Sequence, residues 1–181
     1  MAEKLEEIQN RIDNIAMAKK NVIALVDCDS FFVSCEQKVN PELKGKPVFV
    51  MSGRGQCVIS RSKEAKALGI RMGMPYFQIT GKMKEAVYKI EKMFKAAGGI
   101  ALSSNYELYA DMSKRVMRLI ESYFGKIEIY SIDEAFVDLT GLERLYKKNY
   151  LEIAQMIRQA VKDEVDIPVS IGLSSSKSLA K

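Results

Sequence analysis

The sequence contains no histidine. That excludes histidine-based triads, histidine general bases and most zinc enzymes, and leaves carboxylates as the main catalytic resource. Cysteine is also scarce: Cys28, Cys35 and Cys57 are odd in number and match no zinc spacing, so they read as buried or inert thiols. No apolar run approaches membrane-spanning length, so a membrane is not an expected partner. The first residues, Met-Ala-Glu-Lys-Leu-Glu-Glu, are charged and acidic where a signal peptide would be basic and then apolar, and a cytoplasmic address is expected. No internal repeat or low-complexity tract interrupts the chain.

What remains is a chain of 181 residues, 48% apolar, long enough to bury a core as one domain or a pair of small ones. The formal charge is +5, unevenly spread. Between Lys38 and Arg71 stand eight basic residues (Lys38, Lys44, Lys46, Arg54, Arg61, Lys63, Lys66, Arg71) against Glu42 and Glu64, a net of +6, while the rest is nearly neutral. A basic segment of that density points to a polyanionic partner, nucleic acid or a triphosphate; the bland alternative is a solvated lysine-rich surface.

Two acidic stretches carry the chemistry. In Tyr130-Ser131-Ile132-Asp133-Glu134-Ala135-Phe136-Val137-Asp138-Leu139, adjacent carboxylates sit between two apolar runs. Neighbouring residues of a straight strand face opposite ways, so both can serve one site only if they lie at a hairpin tip, with Lys126–Ser131 and Ala135–Leu139 as the arms. Two bare anions held together raise one another's pKa, and a divalent cation is the usual remedy; a solvated acidic turn is the alternative. Upstream, Val22-Ile23-Ala24-Leu25-Val26 reads as a buried strand ending in Asp27, and a strand-end Asp is costly unless ligated or hydrogen-bonded. If that strand lies beside the hairpin, Asp27, Asp133 and Glu134 form a hard-oxygen cluster suited to Mg²⁺. Asp29 is expected as a helix cap and Asp138 as a strand-end turn residue.

Taken in order, residues 1–21 read as a helical extension with Leu5, Ile8, Ile12 and Ile15 as an apolar stripe packed on the body. Asp29 or Ser30 caps a short helix to about Lys38. Pro47–Ser52 and Gln56–Ser60 read as paired strands, Ser62 caps a helix over Lys63–Leu68, and Lys82–Ala97 is helical before Gly98-Gly99. Ser104 or Asn105 caps a long amphipathic helix ending before Gly125, Leu142–Val165 is a second helix broken or bent near Lys148-Asn149, and Ile167–Leu173 is a buried strand. Leaving out 40–99, the order strand, helix, strand, strand, helix, strand is that of a split βαβ, ferredoxin-like layer of an α+β protein.

The chain resembles the Y-family, or translesion, DNA polymerases, most closely the UmuC-like branch. The likeness is carried by Cys35-Glu36, Leu43-Lys44-Gly45-Lys46-Pro47-Val48, Glu64-Ala65-Lys66-Ala67-Leu68-Gly69, Ser104-Asn105-Tyr106-Glu107-Leu108-Tyr109-Ala110-Asp111-Met112-Ser113 and Ser131-Ile132-Asp133-Glu134-Ala135-Phe136, from about Val22 to Lys181. The resemblance implies a palm (22–39 and 100–181) with an inserted small fingers subdomain (40–99), the thumb and little finger being absent. It implies catalysis by Asp27, Asp133 and Glu134 with two Mg²⁺ ions, for which Mn²⁺ can substitute, and the Cys28 carbonyl as a further metal ligand. Phe31 and Phe32 fall in the nucleotide-binding set, with Phe32 as the aromatic gate against a ribose 2′-hydroxyl and Phe31 the better core residue. Ser60, Lys63 and Lys66 match triphosphate-holding positions, where many relatives carry Tyr and Arg. Arg54 and Arg61 are weaker matches, and Lys177 and Lys181 fit a lysine-rich DNA-binding segment.

The partners so implied are primer–template DNA and deoxynucleoside triphosphates, with a sliding clamp or SOS accessory proteins reached through the missing domains. Two other readings stand beside nucleotidyl transfer. One is a palm–fingers module that binds nucleotide, nucleic acid or a partner without turnover. The other, a cyclase on a similar palm, lacks the expected Gly-Gly-(Asp/Glu)-Glu-Phe hairpin.

Overall fold

The computed structural model describes residues 5–12, 21–53, 55–79 and 86–181. Residues 5–12 form helix α1. Of the expected apolar stripe, Ile12 is buried while Leu5 and Ile8 are exposed; Ile15 lies outside the described residues, as does Arg54. No described helix is long and apolar enough to cross a membrane. The chain divides into two compact units, Met1–Asp29 with Ala110–Lys181, and Ser30–Tyr109. Together they make a mixed α+β protein with two sheets.

The first unit is built on β1 (Ile23–Cys28), whose continuous apolar run suits a strand covered on both faces. It lies in the order β5-β6-β1-β7 with β5 (Ile127–Ile129), β6 (Glu134–Asp138) and β7 (Val169–Ser174), and every neighbouring pair is antiparallel. Alternation sorts the side chains. Ala24, Val26, Ala135 and Val137 are fully buried toward one face. Ile23, Leu25 and Phe136 point the other way and form a small cluster with Ala180. That second cluster is covered by the short helix α9 (Lys177–Ala180), which packs on β1 and β7.

The close approach of α9 depends on Gly172, the register partner of Leu25. A Cβ on Gly172 would lie 2.0 Å from the Ala180 carbonyl oxygen. Helix α8 (Tyr150–Val165) packs on β7 and buries Ile153, Ile157 and Val161. The break expected near Lys148-Asn149 is present: α7 (Leu142–Tyr146) ends at the left-handed Lys147, and Asn149 starts α8 with a reciprocal capping box to Glu152.

The second unit has a three-stranded sheet in the order β3-β2-β4, with β2 (Val48–Met51) antiparallel to β3 (Val58–Arg61) and parallel to β4 (Ile100–Ser103). Strands β2 and β3 are the expected pair, and β4 is a third strand without a local signal. Its core gathers Phe49, Val58, Ala65, Ile70, Met74, Ile79 and Phe94. Around it lie α2 (Phe31–Val39), α3 (Lys63–Ala67), α4 (Tyr76–Ile79) and α5 (Ala86–Ala96). The cap on α3 is the expected one, Ser62 accepting from the Ala65 N–H. The long helix α6 (Tyr106–Phe124) starts with the Asn105 side chain accepting from the Leu108 N–H and stops before Gly125, whose φ of 81° ends the helical turn.

The cap expected on α2 is not formed as read. Ser30 occupies the cap position in a left-handed conformation (φ 48°) with no side-chain cap hydrogen bond. Asp29 instead accepts from the Ser170 hydroxyl at 2.6 Å, a partner on β7 supplied by the sheet rather than by the local chain.

Candidate functional site

Register brings the acidic stretches of the first unit together. Asp27 pairs with Glu134 across β1 and β6, one rung beyond Leu25 and Phe136 on the same face of the sheet. Asp133 lies in the turn before β6, and its carbonyl accepts from the Cys28 N–H at 3.0 Å, fastening the hairpin to the end of β1. The Cys28 thiol is buried.

The hairpin turn is organised by Ser131, a residue not among the expected site residues. Its hydroxyl accepts from the N–H groups of Asp133 (3.3 Å) and Glu134 (3.1 Å) and donates to the Asp133 carboxylate (2.6 Å). Tyr130 and Ser131 both donate backbone N–H groups to the Glu134 carbonyl. A serine hydroxyl that accepts from backbone N–H groups two and three residues on is a side-chain form of turn. Asp138 is the expected strand-end turn residue, its carboxylate accepting from the Thr140 N–H.

The charge at this centre is unbalanced around Asp27. Burial, then repulsion from Asp133, Glu134 and Asp29, pushes its carboxyl above the ordinary aspartate value, and Lys181 opposes the shift. Lys181 reaches the centre from the end of α9: its ammonium donates to both Glu134 oxygens, at 2.8 and 3.0 Å, and lies 4.4 Å from the Tyr130 ring centre. The hydrogen bond to Glu134 holds the Lys181 ammonium above its ordinary pKa. Lys177 pairs with Glu128 and sits over Phe136. Both lysines expected to face DNA are therefore engaged with the acidic hairpin.

Among the described residues, no three cysteine, aspartate or glutamate side chains are gathered into a ready-made metal cage. Asp133 is turned to Ser131 and Glu134 to Lys181. The donor set nonetheless fits a hard divalent ion, since all the side-chain donors are carboxylates, Asp27 carries repulsion that a cation relieves, and one cationic group already rests on Glu134.

In the second unit, Phe31 is buried (3% exposed) and Phe32, beside it on the first turn of α2, is half-buried. The Phe32 ring stacks on Tyr109 (centroids 4.5 Å, 21° between planes) and meets the edge of Tyr106 at 6.0 Å. Ser60 is buried. Its hydroxyl accepts from the Val33 N–H (3.3 Å) and donates to the Ser30 carbonyl (3.1 Å), tying the start of α2 to β3. Lys66 donates to the Ser30 hydroxyl at 3.0 Å, while Lys63 extends into solvent with Glu64 3.9 Å away. Arg61 donates to the Ile70 carbonyl.

The chain is similar to known proteins over most of its length. The impB/mucB/samB family model matches residues 26–181. The protein UmuC of Salmonella typhimurium strain LT2 is 44% identical over 160 residues, covering 88% of this chain and 35% of UmuC. DinB from Sulfolobus solfataricus superposes with a TM-score of 0.70 at 32% identity over 88% of this chain and 43% of its own. A chimeric Y-family DNA polymerase gives a TM-score of 0.68 at 32% identity, over 88% and 44%. The chain thus spans between a third and a half of the length of these relatives. With nearly its whole length from β1 onward matched, it belongs to the impB/mucB/samB family.

Proposed function

We propose that this chain carries the catalytic portion of a DNA-templated nucleotidyltransferase of the translesion type. The observation that carries the reading is the register of Asp27 with Glu134, with Asp133 in the adjoining turn and the ionised form of Asp27 disfavoured by burial and then by its anionic neighbours. In this reading the four-stranded sheet is a ferredoxin-like palm and the Ser30–Tyr109 unit contains the fingers.

Asp27, Asp133 and Glu134 would hold two divalent ions, Mg²⁺ or Mn²⁺, with the Cys28 carbonyl as a further oxygen. When bound, such ions lower the pKa of an attacking hydroxyl and offset charge on a departing pyrophosphate. The reaction joins the primer 3′-oxygen to the α-phosphorus of a deoxynucleoside triphosphate and breaks the bond to pyrophosphate. Ser131 fixes the Asp133 carboxylate, and Lys181 offsets the charge of Glu134. Lys63 and Lys66 supply cationic charge for the triphosphate from one short helix, Lys as a point charge rather than a fork. Ser60, its hydroxyl already committed, acts by holding the start of α2. Phe32 lies under the sugar, and Phe31 is a core residue.

The alternative, a module that binds nucleotide or nucleic acid without turnover, is favoured by one observation, the occupation of Glu134 by Lys181. Primer extension with Mg²⁺ and one labelled deoxynucleotide separates the two. Template-directed addition that disappears in Asp133→Ala supports the transferase. Binding of nucleotide without addition at any Mg²⁺ or Mn²⁺ concentration supports the module.

A further inference from the structure

The half-buried Phe32 ring does not hold its position alone. One of its faces lies against Tyr109, nearly parallel to it, and Tyr109 is fully buried. Residues Phe32 and Glu36 are four apart on α2, so they share one side of that helix. Tyr109 is held by both: its ring stacks on Phe32, and its hydroxyl donates to Glu36 Oε1 at 2.8 Å. Burial and this carboxylate keep the Tyr109 phenol protonated, well above its ordinary pKa, so it stays a donor. Tyr106, one turn earlier on α6, meets the Phe32 edge and is itself exposed.

A stacked ring alone can slide in its plane at little cost, because offset geometries are close in energy. A ring anchored at its far end by a charge-assisted hydrogen bond cannot slide without breaking that bond. The anchor sits on the same helix as Phe32. Any movement of the Phe32 ring toward Tyr109 is blocked by contact, and movement of Tyr109 away from Phe32 is opposed by Glu36.

We propose that Tyr109, anchored by Glu36, is a positioning residue that sets the depth of the Phe32 ring and thereby the discrimination between deoxyribose and ribose. The inference rests on the reading of Phe32 as the residue beneath the incoming sugar. Steric exclusion of a single hydroxyl is a matter of about 1 Å, a displacement that is enough to change rates by up to a hundredfold. The platform therefore governs selectivity rather than total rate.

The test compares kcat/KM for one deoxynucleotide and its ribonucleotide, with Mn²⁺ and a primer–template, in the full chain and in Phe32→Ala, Tyr109→Leu, Tyr109→Phe and Glu36→Gln. Phe32→Ala reports on the underlying reading. Tyr109→Leu, which removes the stacked ring, is expected to raise the ribo-to-deoxy ratio about tenfold. Tyr109→Phe, which keeps the ring and loses the anchor, should raise it about threefold. Glu36→Gln, which preserves an acceptor oxygen, should leave the ratio near that of the unchanged chain. Simple loss of stability would lower both substrates together and leave the ratio alone.

An unchanged ratio in both Tyr109 variants, with a raised ratio in Phe32→Ala, overturns the inference and spares the reading of Phe32. An unchanged ratio in Phe32→Ala, or no incorporation by the unchanged chain, removes that reading and the inference with it. Should Tyr109→Leu fail to fold, Tyr109→Phe against Glu36→Gln decides the matter: equal ratios overturn the anchor.

Discussion

Replacing Gly172 by Ala places a methyl group where the backbone of α9 now rests. The ideal Cβ lies 2.0 Å from the Ala180 carbonyl oxygen and 3.1 Å from its carbon. A tolerable C···O separation is about 3.3 Å, so the carbonyl has to retreat by roughly 1.3 Å. The obstacle is backbone, which no rotamer change removes, so α9 lifts as a piece. Forcing extra volume into a packed contact costs about 1–3 kcal/mol. Peeling α9 away instead re-exposes Ala180 and parts of Leu25 and Phe136, about 1–2 kcal/mol at 25 cal/mol per Å².

Against this stands a gain of about 0.4–1 kcal/mol from stiffening the unfolded chain, since Gly172 has no positive φ that Ala would resist. The clash wins. The expected net loss is about 1–2 kcal/mol, or roughly 2–8 °C in Tm for a chain of this size. The lift also carries Lys181 off the Glu134 oxygens, now 2.8 and 3.0 Å away. Urea unfolding of Gly172→Ala, beside Gly53→Ala whose added Cβ meets only Ser104 Oγ at an ordinary 3.8 Å, checks the magnitude. If both variants unfold within about 0.5 kcal/mol of the unchanged chain, the close packing of α9 on β7 is not as argued.

Asp27→Asn should abolish nucleotide addition yet stabilise the fold at neutral pH. The folded-state pKa of Asp27 lies above its unfolded value of about 3.9, so its contribution is present below that value and is lost as pH rises through the folded pKa. The advantage of Asn over Asp, read by urea unfolding, should therefore grow from pH 4 to pH 7, and equal curves at both would contradict the charge argument. Phe31→Ala should cost about 3–5 kcal/mol with the ribo-to-deoxy ratio unchanged, because that ring is core; a shifted ratio would put Phe31 rather than Phe32 at the sugar. DNA binding by this chain should be weak and salt-dependent, because Lys177 and Lys181 must first leave Glu128 and Glu134. Lys181→Gln should lower the slope of log affinity against log salt by no more than about one, and nanomolar affinity at physiological salt by fluorescence anisotropy would refute the premise.

Local patterning made much of the fold legible. The apolar run into Asp27, the hairpin, the Ser62 cap and the Asn149 break each announce themselves within a few residues, and each is found where the pattern puts it. Strand β4 is different: Ile100–Ser103 is four residues long, and what makes it a strand is parallel pairing with β2, some fifty positions earlier. No local signal encodes that partner. The Asp29 cap failed for the same reason in reverse, since local spacing favoured a cap and the partner arrived from β7.

The lysines show what sequence spacing cannot supply and what register can. Lys181 stands 47 positions from Glu134, and nothing in either motif links them. Once β7 is placed beside β1, Gly172 falls opposite Leu25 and leaves room for the α9 backbone over that rung, while Asp27 and Glu134 occupy the next rung on the same face. The residue after Ala180 then reaches the carboxylates by geometry alone. The acidic cluster that argued for an external cation is thus partly met by a cation of the chain itself. The Lys181 side chain is about half in solvent, so its attraction to Glu134 is screened by water and the pairing is exchangeable. In the proposed transferase, a divalent ion at Glu134 would release that ammonium to a phosphate of the substrate, so the pairing is compatible with turnover.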